Sequence, residues 1–260
     1  MTAMFKNTPF DLTGRTALVT GAGRGLGKAM ARQLSQAGAG VMLCSRTESQ
    51  LREAADEIRE ETGGLVEYSV ADLGDRKDTV RLASETTQRL GKVDILIANA
   101  GLNIPQTIDQ LRDEDWDHLL ELNLSSSMAL TRALAPGMME RKWGRVIYIS
   151  SIMALASTKE RVAYSASKAG LHGLVKANAI HLGAHGITVN CIAPGPFATE
   201  MPMRLLTPEQ KQQLASRTAL GRWAKPEELA PTALLLASEA GGYITGTIVV
   251  VDGGASIRMF

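Results

Sequence analysis

The sequence predicts one α/β domain spanning residues 1–260, a doubly wound parallel sheet of about seven strands with helices on both faces. Three observations carry this. Short apolar runs alternate with longer helical patterns almost from end to end. Several of those runs are continuously apolar, as strands covered on both faces are. The chain has 260 residues, 45% of them hydrophobic and 21% charged, which suffices for a sizeable core without disulfide staples.

The elements follow in order. "TALVT" (16–20) is the first strand and leads through glycines at 21, 23, 25 and 27 into a helix over 26–37. "VMLC" (41–44) precedes a helix over 48–61, and "LVEYSV" (65–70) one over 76–90. "VDILIA" (93–98) is followed by a long helical pattern over 114–142, and "RVIYIS" (145–150) by one over 162–184. "ITVNCI" (187–192) and "TIVVV" (247–251) complete the strands, with helices over 208–217 and 226–238 between them. Those two helices carry Pro near the start, where its missing N–H costs nothing. The segment 193–207, "APGPFATEMPMRLLT", has no clear period, and a substrate loop is expected near 193–217 that closes over ligand.

Composition narrows the function. The formal net charge is +1, with no basic stripe for nucleic acid and no basic amphipathic helix for a membrane surface. Cys44 and Cys191 lie in apolar runs and read as small core residues rather than a disulfide. The first residues lack the apolar core of a signal peptide, and the expected location is the cytoplasm. The four histidines have no Cys, Asp or Glu at ligand spacing, so no metal is expected.

The glycines have a specific use. At the end of a first parallel strand, a glycine-rich turn lets a phosphate meet bare backbone N–H groups and a helix N-terminus. Gly21 would allow the tight turn, Gly25 the close approach of a cofactor, and Gly27 close helix packing. The spacing is not G-x-G-x-x-G, because Leu26 fills the last position; it is T-G-x-x-x-G-x-G over 20–27.

That spacing resembles the cofactor motif of the short-chain dehydrogenase/reductase family, a Rossmann-type fold. The remaining motifs occur in family order. "ADL" (71–73) resembles the stretch whose Asp, here Asp72 beside Leu73, meets the adenine ring. "NAG" (99–101), that is Asn99, Ala100 and Gly101, resembles N-N-A-G, with Ala98 in place of its first Asn. "YSASK" (164–168) fits Y-x-x-x-K, and Ser151 stands thirteen residues before its Tyr. "PGPFAT" (194–199) resembles the stretch bordering the nicotinamide, which implicates Pro194, Gly195, Phe197 and Thr199. "VDGG" (251–254) resembles the final strand end. The opening "FDLTGRTALVTG" and "GRW" (221–223) resemble the gluconate 5-dehydrogenase branch, and the general pattern resembles the 3-oxoacyl-acyl-carrier-protein reductases.

The residues themselves suit hydride-transfer chemistry. Tyr164 and Lys168 are four apart on a helix and share a face. A neighbouring ammonium stabilises phenolate, so the expectation is a Tyr164 pKa lowered enough for general acid/base work. Ser151, at a strand end, could donate to a substrate oxygen where charge develops. The resemblance implies that Asn123 holds a water linking Lys168 to solvent and that Lys168 also binds the nicotinamide ribose. Taken singly, each has a structural reading: core aromatic, surface charge, strand end, backbone-bonded helix Asn. A silent dinucleotide-binding scaffold would be expected to lack the Tyr or the Lys.

A small ketone or alcohol substrate is therefore expected. NAD sites usually carry an acid about 20 residues beyond the glycines. Here Ser45 and Arg46 stand in its place, and Arg24 lies inside the turn. A guanidinium can pair with a 2′-phosphate, so NADP(H) is expected over NAD(H). Arg46 could instead begin a solvated helix and pair with Glu48. Finally, small residues on the Tyr164 helix (Ala163, Ser165, Ala166, Ala169, Gly170, Gly173) and the leucines Leu119, Leu120, Leu122 and Leu124 suggest helices buried against a second copy. The family typically forms tetramers through these helices, which implies a homo-tetramer.

Overall fold

Seven strands pair in parallel as one sheet in the order β3-β2-β1-β4-β5-β6-β7. The computed structural model describes residues 5–199, 203 and 206–257. The strands are β1 (Thr16–Thr20), β2 (Gly40–Ser45), β3 (Val66–Val70), β4 (Ile95–Ala98), β5 (Gly144–Ile149), β6 (Ile187–Pro194) and β7 (Ile248–Val251). Each lies within two residues of its expected span. The helices are α1 (Gly25–Gln36), α2 (Glu48–Thr62), α3 (Arg76–Leu90), α4 (Asp113–Leu120), α5 (Ser126–Glu140), α6 (Val162–Gly183), α7 (Pro208–Ser216) and α8 (Ala230–Ala237).

Alternation along each strand feeds two core layers. Val19, Leu43 and Ile97 pack on one face with Met30 and Leu34 of α1, Leu51 and Ile58 of α2, and Leu234 of α8. Their neighbours Leu18, Met42 and Leu96 pack on the other face with Leu82 of α3, Leu130 of α5 and Leu171 of α6. Strand order reverses between β1 and β4, because the chain leaves β3 at one edge and returns on the far side of β1. Such a switch point opens a crevice beyond the carboxyl ends of the strands.

Two helical expectations change. The pattern 114–142 is not one α-helix: α4 and α5 are joined through a π-turn over Glu121–Ser125. That extra width carries Asn123 inward, where its side chain engages the backbone of Leu102 at both N and O. The pattern 226–238 begins as a 3₁₀ turn, Pro226–Glu228, and only then becomes α8. Pro231, near the start of α8, has no N–H to continue an α-helical ladder back to residue 227.

Buried charge at the amino-terminal ends of the central strands is structural. Asp94 accepts from Lys92 at 3.0 Å and Arg141 at 3.2 Å, while buried Arg145 reaches Glu239 at 3.4 Å and stacks over Trp143. Both cysteines are free and buried. Among the described residues no helix is long and apolar enough to cross a membrane. In the expected substrate loop, positions 200–202, 204 and 205 lie outside the described residues.

Candidate active site

The glycine turn is built as its spacing demands. Gly21 and Gly25 hold left-handed φ values of +63° and +57°. A Cβ on Gly27 would lie 2.2 Å from the Gly21 carbonyl oxygen, so only glycine lets α1 sit this close to β1. Arg24 is the N-cap of α1 and makes no side-chain capping bond, which leaves the first N–H groups of the helix for an anion. Asn99 ties the turn to β4: its Nδ2 donates to Thr20 O at 2.8 Å and Gly21 O at 3.2 Å. Its side chain is thereby spent on backbone. Ala100 N donates to the Thr20 hydroxyl at 2.9 Å.

Beside the turn, Gly21, Ser45, Arg46, Asp72, Leu73, Ala100 and Gly101 line a cleft of about 120 Å³. Ser45 Oγ is buried there without a hydrogen-bond partner. Arg46 Nη1 lies 4.0 Å from Asp72 Oδ2, so the acid facing it is Asp72 rather than Glu48. Leu26 and Leu73 direct their side chains into the two core layers, although Leu73 also borders the cleft.

From the other side, β6 ends at Pro194, and Gly195 N donates to Val251 O at 3.0 Å. A Cβ on Gly195 would fall 2.5 Å from that of Asp252. Thr199 reaches the helix start: its Cγ2 is 3.3 Å from where a Gly25 Cβ would sit. The Phe197 ring is buried in the same layer as Leu229 and Ile192.

At the ends of β4 and β5 the four expected catalytic residues converge. Asn123 donates through Nδ2 to Leu102 O at 2.9 Å and Ser167 Oγ at 3.0 Å, and its Oδ1 accepts from Leu102 N at 3.0 Å. Gly101 separates it from Lys168: a Cβ there would meet Asn123 Oδ1 at 3.0 Å and Lys168 Nζ at 3.2 Å. Lys168 is 4% exposed and donates from Nζ to Ile149 O at 2.8 Å. Burial pulls its pKa down to about 8. Its Nζ stands 5.9 Å from the Tyr164 ring centroid.

Tyr164 corrects one expectation. Burial pushes its phenol above the ordinary value, because low-dielectric surroundings disfavour phenolate. The groups opposing that rise are the Ser151 hydroxyl, hydrogen-bonded to the phenol, and the charge of Arg161. Lys168 is turned to the Ile149 carbonyl instead. Ser151 Oγ also accepts from Met153 N at 3.1 Å, which fixes its hydroxyl at the end of β5.

The chain that carries this arrangement is similar to known proteins over almost its whole length. Residues 21–256 match the family model described as enoyl-(acyl carrier protein) reductase. The chain belongs to the short-chain dehydrogenase/reductase family. Within this family it is 33% identical over 244 residues to the 3-oxoacyl-acyl-carrier-protein reductase FabG of Rickettsia felis, covering 94% of this chain and 98% of the relative. It is 34% identical to the gluconate 5-dehydrogenase of Gluconobacter oxydans, covering 96% and 98%. A solved gluconate 5-dehydrogenase from Burkholderia cenocepacia, in complex with NADP and tartrate, superposes with a TM-score of 0.90 at 32% identity, covering 96% and 98%.

Sequence reasoning missed the supports of these family residues. Leu102 and Ser167 hold Asn123, and Ile149 O holds Lys168. Cys44, Ala71 and Leu122 also line the cleft. Leu102 carries a signal, since it directly follows Gly101; a backbone carbonyl such as Ile149 O carries none.

Proposed function

We propose that this chain is an NADP(H)-dependent oxidoreductase that moves a hydride between nicotinamide and a secondary alcohol or its carbonyl, with Tyr164 as general acid/base. The supporting observation is the convergence of Ser151, Tyr164, Lys168 and Asn123 beside a glycine turn whose helix N-terminus has no side-chain cap. The residues fit the cofactor. The N–H groups after Arg24 would take its pyrophosphate, Asp72 its adenine, and Tyr164 and Lys168 the ribose. The orphaned Ser45 hydroxyl and Arg46 would take a 2′-phosphate, for which NAD has no counterpart.

When bound, the nicotinamide accepts or supplies the hydride. In oxidation Tyr164 removes the alcohol proton as the C–H electron pair departs with the hydride, leaving C=O. In reduction the same hydroxyl returns the proton. Ser151 holds the reacting oxygen, and its hydroxyl on the phenol opposes the burial that disfavours phenolate. Pro194, Gly195, Phe197 and Thr199 would border the nicotinamide, and residues 193–217 would close over the substrate.

Two further assignments go with this reading. The free, buried Cys44 and Cys191 suit the cytoplasm. Ala166, Ala169 and Gly173 lie exposed on α6 and suit a second copy in a homo-tetramer, although Leu124 of the same chain already covers Gly170. The function is tested by incubating the purified protein with NADP+ and a panel of secondary alcohols, and with NADPH and the matching ketones. Substrate-dependent change in nicotinamide absorbance is expected; none across the panel would overturn the reading.

A further inference from the structure

Consecutive residues at the end of β5 hold α6, and one of them does so without any group that the proposed reaction uses. Ile149 O accepts from Lys168 Nζ at 2.8 Å, and the Ser151 hydroxyl is bonded to the Tyr164 phenol. Between them, Ser150 Oγ donates to the backbone carbonyl of Lys168 at 3.0 Å and stands 3.0 Å from His172 Nε2. Ser150 is buried, and His172 lies half-buried one helical turn beyond Lys168.

The proton count fixes the direction of both bonds. A serine hydroxyl has one proton, and a carbonyl oxygen can only accept. The Ser150 proton therefore goes to Lys168 O, and His172 donates from Nε2–H to Ser150 Oγ. The neighbouring Cys191 thiol, which burial pushes up to about 11, stays neutral and bonds only weakly. In the ladder of α6 the same Lys168 carbonyl accepts from the N–H of His172, four residues on. Backbone and ring of His172 thus close a circuit through Ser150 onto Lys168.

We propose that His172 is a positioning residue: through Ser150 it seats α6 on the end of β5, and so sets how Tyr164 and Lys168 stand to Ser151. This rests on the oxidoreductase reading above. The outer ties end on Lys168 Nζ and the Tyr164 hydroxyl, the groups that the reaction engages. The Ser150 tie ends on helix backbone and is independent of cofactor and substrate. Slight misplacement of reacting groups costs rate rather than binding.

The test pairs single-turnover reduction of the best ketone in the panel with NADPH fluorescence titration, on H172L, H172Q, S150A and the S150A/H172L double variant. H172L, which fills space without a donor, should slow hydride transfer roughly tenfold, as for loss of one neutral hydrogen bond, with NADPH affinity near wild type. H172Q, whose side-chain amide donates from a similar place, should recover the wild-type rate. In the S150A background H172L should cost nothing further, because the pair acts as a unit. Apart from activity, NMR spectra of the isotope-labelled histidines in the ligand-free protein should show a slowly exchanging His172 Nε2 proton that S150A abolishes. A wild-type rate in H172L, an H172Q as slow as H172L, multiplied losses in the double variant, or an Nε2 proton indifferent to S150A would overturn the role. The oxidoreductase reading fails by a different result, a wild type that transfers no hydride anywhere in the panel, and the positioning role falls with it.

Discussion

Replacing Lys168 with methionine should make the protein more stable while destroying its site. Lys168 is buried, and no carboxylate pairs with it among the described residues. Its pKa falls from 10.5 to about 8 through burial. At ~1.4 kcal/mol per pH unit, that displacement holds about 3 kcal/mol against the folded state at neutral pH. Methionine fills similar space without charge but loses the 2.8 Å hydrogen bond to Ile149 O. That loss costs ~1 kcal/mol. The net gain is about 2 kcal/mol, or a Tm rise of roughly 4–8 °C for a chain of this size. The sign follows from the depressed folded pKa. Between about 8 and 10.5 the unfolded chain holds a proton that the folded one has released, so wild-type stability rises with pH there. The advantage of Lys168→Met is therefore full below about pH 8 and closes, then reverses, as pH climbs through that window. Urea unfolding of both proteins from neutral to alkaline pH measures it. A variant less stable than wild type at neutral pH, or a difference constant across the window, would refute the reasoning.

Two further outcomes follow from the cofactor end. Gly27→Ala drives a methyl to within 2.2 Å of Gly21 O and should lower stability by about 1–3 kcal/mol, with NADPH affinity falling alongside; thermal unfolding and NADPH fluorescence titration check both, and an unaltered turn would leave both unchanged. Arg46→Asp sets a carboxylate beside the unpartnered Ser45 hydroxyl and should weaken NADP+ binding roughly ten- to hundredfold while sparing NAD+. Equal binding of NADP+ by wild type and variant would remove Arg46 from the site.

The parts legible in the sequence were those that local periodicity or steric need encodes. Short apolar runs, several of them continuous, marked the seven strands, since a strand covered on both faces tolerates little else. The spacing of Gly21, Gly25 and Gly27 carried the turn, because two need left-handed φ and the third admits no Cβ. What stayed hidden depends on distant backbone. The π-turn at Asn123 leaves the helical pattern unbroken and is tied to Leu102, 21 residues away. The orientation of Lys168 toward Ile149 O, and the burial that raises the Tyr164 pKa, cannot be read from an i, i+4 pair. Small residues on α6 looked alike from sequence, yet Gly170 is covered by Leu124 whereas Gly173 faces open space.

The central claim is that the Tyr164 hydroxyl carries the proton during hydride transfer. Tyr164→Phe removes that single oxygen from a half-buried ring and leaves the glycine turn, Ser45 and Arg46 untouched. The decisive measurement pairs NADPH binding by fluorescence titration with single-turnover reduction of the best ketone in the panel. The account predicts NADPH affinity close to wild type and a hydride-transfer rate lower by roughly a hundredfold or more, the usual worth of a positioned acid/base. A variant that binds NADPH and reduces the ketone at the wild-type rate would contradict it.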